Sequence, residues 1–362
     1  SFLRPDVLKQ ARADFAAGVI DAGALRAVED EAIRDLVAKQ KAAGLHVITD
    51  GEFRRSYWHL DFMWGLQGIE RRTSRTGYQF HDEETTADTA VVTGKISGES
   101  HPFVEHFKFV KALEEKGQVA RQTIPAPAQT YSEVILDRCD GQQESLRAVY
   151  PTDEELIADI AAAYRTVLAD LYVAGCRNVQ FDDCTWGIYC DRDFVAKTGM
   201  SPVDIEKVSE LGVAINNAAL EGKPADLVVN THVCRGNYHS TYAFEGGYDP
   251  VAPYLFANED VNAFYLEFDT PRAGGFAPLA HVAAGKKVVL GLVTSKQPGL
   301  EDEELLVRRI NEAAQYVPLE DLCLSPQCGF ASCECGNKLT EEEQWAKVAL
   351  VQRVAKRVWG ED

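Results

Sequence analysis

The chain has 362 residues, 46% hydrophobic and 26% charged, an ordinary globular composition with length enough to bury a sizeable core. Lys+Arg number 37 against 56 Asp+Glu, a net charge of −19, which argues against nucleic acid or an anionic membrane as a partner and suits an enzyme for small molecules. No apolar run approaches the ~18 residues of a membrane span, the N-terminus does not read as a signal peptide, and nine cysteines without export signals read as reduced thiols or metal ligands in a cytoplasmic protein.

The stretch Ser1-Phe2-Leu3-Arg4-Pro5 is turn-like, and helical periodicity begins at once (Val7, Leu8, Ala11, Phe15). A longer helix is expected from about Ala24 to Ala43, with Gly44 as its stop. A short strand, Leu45 to Thr49, runs into Asp50-Gly51-Glu52-Phe53-Arg54-Arg55. Residues 54–100 have weak periodicity and alternating patches such as Thr89 to Ile96, and read as an insertion with a β-hairpin at the mouth of the fold. A helix (Phe103 to Lys116) and a strand (Val119 to Ile124) follow, and Pro125 and Pro127 open what reads as a long polar loop. After a helix (Asp153 to Ala174) come Asn178-Val179-Gln180-Phe181-Asp182-Asp183, a helix (Pro202 to Leu220) and an apolar strand (Leu227 to His232). Strands at Ala263 to Phe268, Lys287 to Leu292 and Leu322 to Leu324, a helix at Glu301 to Ala314 and a last helix at Glu341 to Val358 complete the chain.

Alternating strands and helices indicate an α/β fold with a parallel sheet. The expected architecture is a (β/α)8 TIM-type barrel forming a single catalytic domain over residues 1–362. Seven strands are visible, and the first would lie upstream of Ser1. A doubly wound sheet is disfavoured because no Gly-x-Gly-x-x-Gly follows an early strand.

In such barrels the functional residues sit at the C-terminal ends of the strands. Those ends read Asp50-Gly51-Glu52, Asp182-Asp183, His232-Val233-Cys234, Glu267-Phe268-Asp269 and Cys328-Gly329. His232 and Cys234, two apart, leave an extended chain on one face. On spacing alone a buried thiol beside a hydrogen-bonded histidine explains that pair as well as a metal does. The other strand ends strengthen the metal reading: His232, Cys234, Glu267 and Cys328 would make an N/S/O/S tetrahedron for Zn²⁺.

Thr231-His232-Val233-Cys234, the strand-end Glu267 and Ser325-Pro326-Gln327-Cys328-Gly329 resemble the zinc motifs of cobalamin-independent methionine synthase. Gly51-Glu52 and Gln180-Phe181-Asp182-Asp183 resemble its homocysteine-binding segments, and Ser1-Phe2 the end of its Gly-Ser-Phe turn. The resemblance covers nearly the whole chain. It is closest to the short single-barrel members, which share Cys234-Arg235-Gly236-Asn237 and Glu245-Gly246-Gly247-Tyr248. It implies zinc-dependent methyl transfer to the thiol of homocysteine, with His232, Cys234, Glu267 and Cys328 on the metal. Glu52 and Asp182 would be the catalytic residues that grip the ammonium group, Ser1 would meet the carboxylate, and Asp183 would join them as a substrate-binding or orienting group. The partners implied are homocysteine and a methyl donor of the 5-methyltetrahydrofolate type. Two departures concern the donor: Lys296 or Thr294 stands where the family has a proton-donating His, and no Trp in Gln122 to Pro127 matches the one that supports the pterin. An alkyl transferase for another thiol or a non-folate donor is therefore the alternative, and a metal-free barrel that binds or decarboxylates a small molecule is a third reading.

Other residues carry less. Cys323 reads as packing, Cys333 and Cys335 as loop thiols, and Cys139, Cys176, Cys184 and Cys190 as core thiols. Tyr57, Trp58, Trp64 and Trp186 could wall a pocket or pack a lid. Arg54 and Arg55 read as solvated charges, and His81, His101, His106, His239 and His281 have no metal-ligand spacing.

Overall fold

A computed structural model describes residues 1–360. The strands, in chain order, are β1 (Val47–Ile48), β2 (Gln67–Thr73), β3 (Gln79–Phe80), β4 (Glu83–Glu84), β5 (Asp88–Ser97), β6 (Val119–Ala120), β7 (Gln122–Pro125), β8 (Asn178–Asp182), β9 (Val228–Val233), β10 (Ala263–Glu267), β11 (Lys287–Val293) and β12 (Leu322–Pro326). β7 to β12 form a parallel sheet in sequential order, and β1 pairs in parallel with β6. Arg121 alone separates β6 from β7, so the two sheets follow one another along the chain. Among the described residues β12 and β1 each have one strand neighbour only.

These strands are parallel because helices return the chain between them, and many of their apolar side chains are buried. β9 shows this: Val229 and Val233 are fully buried, each contributing about 1.5–3 kcal/mol relative to exposure. The crossover helices are well delimited. Ser201 and Asp204 form a reciprocal capping box before Pro202–Leu220, and Thr340 with Glu343 does the same for Glu341–Trp359. Among the described residues no helix is long and apolar enough to cross a membrane. Since the strands share one direction, Asp182, Cys234, Glu267 and Cys328 all lie at or just past C-terminal strand ends on one side of the sheet, and Glu52 lies past the C-terminal end of β1.

Two parts of the chain differ from expectation. The segment after Pro125 is not an open loop but two helices, Pro127–Ile135 and Gln142–Val149. Pro127 occupies the first helical turn, where its missing N–H costs nothing, and Ala128, Tyr131 and Val134 bury one face. Short helices at Thr185–Cys190, Arg192–Thr198 and Ala252–Asn258 also occupy stretches that read as loop. They are under two turns of regular periodicity, too short to stand out from sequence. Within residues 54–100, β2 pairs antiparallel with β5.

Candidate metal centre and substrate cavity

His232 and Cys234 leave the end of β9 on the same side, and Cys328 enters two residues beyond β12. The imidazole nitrogen and the two sulfurs lie within 4.8 Å of one another. The Nδ1–H of His232 donates to the carbonyl oxygen of Tyr265 at 3.1 Å. That bond fixes the ring, and Nε2 is buried with no hydrogen-bond partner. A buried, unpartnered imidazole nitrogen beside two sulfurs, with its other nitrogen bonded to a carbonyl, is the donor arrangement that zinc takes. The residues present fit the ion.

The electrostatics of the group agree. The hydrogen bond from Cys234 holds the Cys328 thiol well below its ordinary range against the effect of burial, with further help from His232 and Lys296. Cys234, bonded to Cys184 and Cys328 and buried, is held well above that range. Burial disfavours the charged form of His232, but Cys328, Asp182 and Glu267 outweigh it and lift its pKa to about 9.

Glu267, at the end of β10, is fully buried, but its carboxylate is not in the cluster of three ligand atoms. One oxygen accepts from the backbone N–H of Arg235 at 2.8 Å, and the other is paired with Arg272 and lies 3.8 Å from Lys296. Burial would raise its pKa; the three cations win and hold it at about 2. Lys296 is itself buried, with its ammonium unbonded, and it does not line the cavity.

A cavity of about 750 Å³ opens over the cluster, and Ser1, Glu52, Asp182, His232, Cys234 and Cys328 all line it. Gly51 and Glu52 are both left-handed, with φ 64 for each. A side chain on Gly51 would collide with Leu36, and for Glu52 this backbone is unfavourable, a pattern that marks functional turns. Glu52 Oε1 accepts from Thr123 at 3.0 Å and lies 3.3 Å from Arg55, while Oε2 is buried without a partner. Asp182 accepts from the amide of Gln180 at 2.8 Å; burial, opposed by His232 and reinforced by Glu52, raises its pKa to about 6. Ser1 packs so closely on Gly329 that a Cβ there would collide with it.

Asp183 is placed differently from the substrate-binding residues it was grouped with. It is fully buried and does not line the cavity. Its oxygens are taken by Thr185, by Trp186 Nε1 at 2.9 Å and by Asn216 at 3.0 Å. It orients the turn after β8.

Several residues had no legible role in the sequence. Arg55 is not solvated: it is 1% exposed, its guanidinium lies 4.3 Å from the Phe103 ring, and it donates to the Thr123 carbonyl at 2.7 Å. Arg4 is also buried and donates to the carbonyls of Ala331 at 2.6 Å and Glu52 at 2.7 Å, stitching the N-terminal segment to both loops. Cys184 is not a core thiol; it lines the cavity with its sulfur 3.2 Å from that of Cys234. Cys333 and Trp58 line the cavity too, whereas Trp64 and Trp186 do not. The Cys234-to-Asn237 and Glu245-to-Tyr248 motifs support one another: Arg235 lies 3.8 Å from the Tyr248 ring and donates to the Gly246 carbonyl at 2.8 Å.

Comparison with known proteins agrees with this geometry. Residues 1–357 match the family model described as cobalamin-independent synthase, catalytic domain. The uncharacterized protein YxjH of Bacillus subtilis (strain 168) is 41% identical over 363 residues, 99% of this chain and 93% of that protein. The structure of a proposed vitamin-B12 independent methionine synthase from Listeria monocytogenes has 39% identity and a TM-score of 0.78, covering 100% of this chain and 96% of that one. A B12-independent methionine synthase from Shewanella sp. W3-18-1, solved in complex with selenomethionine, shares the fold at 20% identity, with a TM-score of 0.71 over 94% of this chain and 90% of that one. With the match extending over nearly every residue and the strand-end cluster in place, the chain belongs to the family of the cobalamin-independent methionine synthase catalytic domain.

Proposed function

We propose that this protein is a zinc-dependent methyltransferase that converts homocysteine to methionine. The observation that carries the reading is the placement of His232, Cys234 and Cys328 within 4.8 Å of one another on the wall of a cavity that Glu52 and Asp182 also line. His232, Cys234 and Cys328 would hold the ion, and Glu267 would supply the fourth, oxygen donor on leaving Arg272. Zinc bound there would lower the pKa of an incoming thiol so that it reacts as the thiolate.

The rest is the work of the chain. The unpartnered Oε2 of Glu52 and the carboxylate of Asp182 receive the ammonium group, which positions the sulfur over the cysteines. Ser1 meets the substrate carboxylate, and Asp183 fixes the turn that presents Asp182. Burial of Glu52, Asp182, His232 and Cys234 keeps water from competing for the methyl group. The selenomethionine complex of the Shewanella enzyme is consistent with a product of this shape in such a fold. We read the parallel strands β1 and β6 to β12 as part of a (β/α)8 barrel in a single cytoplasmic domain, with residues 54–100 inserted at its mouth.

The donor is read as a methylated folate or as a more compact molecule. Trp58, Tyr78, Phe80, Phe194 and Phe244 give the cavity a mouth for a flat ring. The compact donor is favoured by one observation: Arg121 is the only Lys or Arg among the described cavity-lining residues, and its guanidinium is already bonded to Asn178, Gln180 and Tyr265. Nothing cationic is left for a polyanionic tail.

The test is metal analysis with a methyl-transfer assay. The protein is expected to hold one zinc per chain and to methylate homocysteine, and His232→Ala and Cys328→Ser to lose both. Variants that keep both would overturn the proposal. Substituting other thiols, then a methylated corrinoid for the folate, separates the acceptor and donor readings.

A further inference from the structure

Cys184 belongs to none of the roles described so far. It stands between Asp183 and the helix Thr185–Cys190, half-buried against the cavity, and its sulfur is 3.2 Å from the sulfur of Cys234. The two cysteines come from neighbouring parallel strands, since Asp182 is in register with His232 at the ends of β8 and β9. Their backbones are also locked together. The N–H of Asp183 donates to the His232 carbonyl at 2.8 Å, and a Cβ on Gly187 would lie 3.0 Å from the carbonyl oxygen of Cys234. Gly187 thus permits a close approach that holds the thiols adjacent. A disulfide requires about 2.05 Å between sulfurs, so roughly 1 Å of side-chain movement would complete the bond.

The geometry points to Cys184 and Cys234 as a redox pair, in which a peroxide joins the two sulfurs and removes Cys234 from the metal-binding group. This rests on the zinc reading only for its consequence, the loss of metal. With His232, Cys234 and Cys328 occupied by the ion, Cys184 is the free thiol of the cluster, and the cavity gives a small oxidant access to it. One molecule of peroxide oxidises the Cys184 thiol to a sulfenic acid and leaves as water. The Cys234 sulfur then attacks the Cys184 sulfur and displaces the oxygen as a second water, with the protons supplied by the two thiols or by solvent. Two electrons pass from the pair to the peroxide. A thiol reductant reverses the bond by exchange. The site would then lose a sulfur ligand reversibly, before either metal-binding sulfur is driven to an irreversible oxidation state.

The experiment uses the full-length, zinc-loaded protein exposed to hydrogen peroxide. Three readouts are taken: peptide mapping by mass spectrometry without reduction, zinc release to a chromophoric chelator, and recovery with dithiothreitol. The expected result is a Cys184–Cys234 cross-link that appears together with zinc release, both reversed by the reductant. Cys184→Ser is expected to lose the cross-link and to retain its zinc under the same exposure, with circular dichroism confirming its fold. A protein that never takes up zinc but forms the cross-link would sink the zinc reading and leave the pair standing. Zinc release without that cross-link, or at the same rate in Cys184→Ser, would overturn the pair.

Discussion

The side-chain amide of Asn237 donates to the carbonyl oxygen of Gly329 at 2.7 Å, tying the loop after β9 to the loop that carries Cys328. The same nitrogen reaches Ser332 Oγ at 3.1 Å, and the oxygen accepts from Asn337 at 2.9 Å. Asn337 in turn donates to the Ser295 carbonyl at 2.7 Å, which brings in the end of β11. The two sulfurs of the candidate metal centre arrive on separate loops, so their spacing depends on this bridge as much as on the strands.

Asn237→Ala should therefore weaken metal binding without touching a ligand. It leaves the part-buried Gly329 carbonyl and a buried Asn337 N–H unpaired, at a cost of about 1–3 kcal/mol in stability. Loss of a group that orients metal ligands lowers affinity by about 10- to 100-fold. Denaturant unfolding and zinc competition against a chelator measure the two effects. A drop in stability with unchanged zinc affinity would show that the bridge holds the fold and not the site.

Arg272 makes a second prediction, concerning Glu267. Breaking a buried ion pair from one side leaves a charge uncompensated and typically costs about 3–5 kcal/mol. Arg272→Met should lower the melting temperature of the zinc-free protein, because Glu267 keeps only the Arg235 N–H and the more distant Lys296. Zinc should restore more stability to the variant than to the parent, because the freed carboxylate becomes available to the ion and ligand binding stabilises by linkage. Thermal unfolding with and without zinc reads the difference. An equal zinc-induced shift in both proteins would place Glu267 outside the metal shell.

How much of this was legible in the sequence depends on how local the cause is. Apolar runs and Gly or Pro stops located the parallel strands, with β6 and β7 read as one, and the long helices, since periodicity and capping act over a few residues. The chemistry at the strand ends was legible because a shared strand direction turns sequence position into spatial proximity: His232, Cys234 and Cys328 meet as their positions suggest. What stayed hidden depends on partners distant in the chain. Arg55 reads as a surface charge until Phe103 and Thr123 close over it. Cys184 reads as packing until β8 and β9 set it against Cys234. The ion pair between Arg272 and Glu267 has no local signature at all.

Glu259 supplies a pH prediction away from the cluster. It is fully buried; burial and the nearby Asp183 raise its pKa to about 8, against the pull of Asn216 and Lys286. The folded-state value lies above the unfolded one, so the folded protein binds the proton more tightly. The stabilisation is therefore complete below the ordinary carboxylate pKa and is lost as pH rises towards about 8. In that window Glu259 should take away about 1.4 kcal/mol per pH unit. Glu259→Gln keeps an acceptor for Asn216 and cannot ionise, so its stability should decline less between pH 5 and about 8. Parallel pH profiles for the two proteins would reject the assignment.

The last prediction separates the two carboxylates offered to the ammonium group. Glu52→Gln preserves size and can still accept from Thr123, so the change is the loss of carboxylate charge, at the unpartnered Oε2 and beside Arg55. A hydrogen bond to a charged group contributes about 1.5–3 kcal/mol, which corresponds to a roughly 10- to 150-fold weaker affinity for homocysteine. The des-amino analogue of homocysteine lacks the group that Glu52 would hold, so the parent protein should prefer homocysteine strongly and the variant, with Asp182 still in place, should show a clearly smaller preference. Calorimetric titration of both thiols into both zinc-loaded proteins gives the comparison. If the variant keeps the full preference, Asp182 alone carries the ammonium contact, and the same titrations on Asp182→Asn should then abolish it.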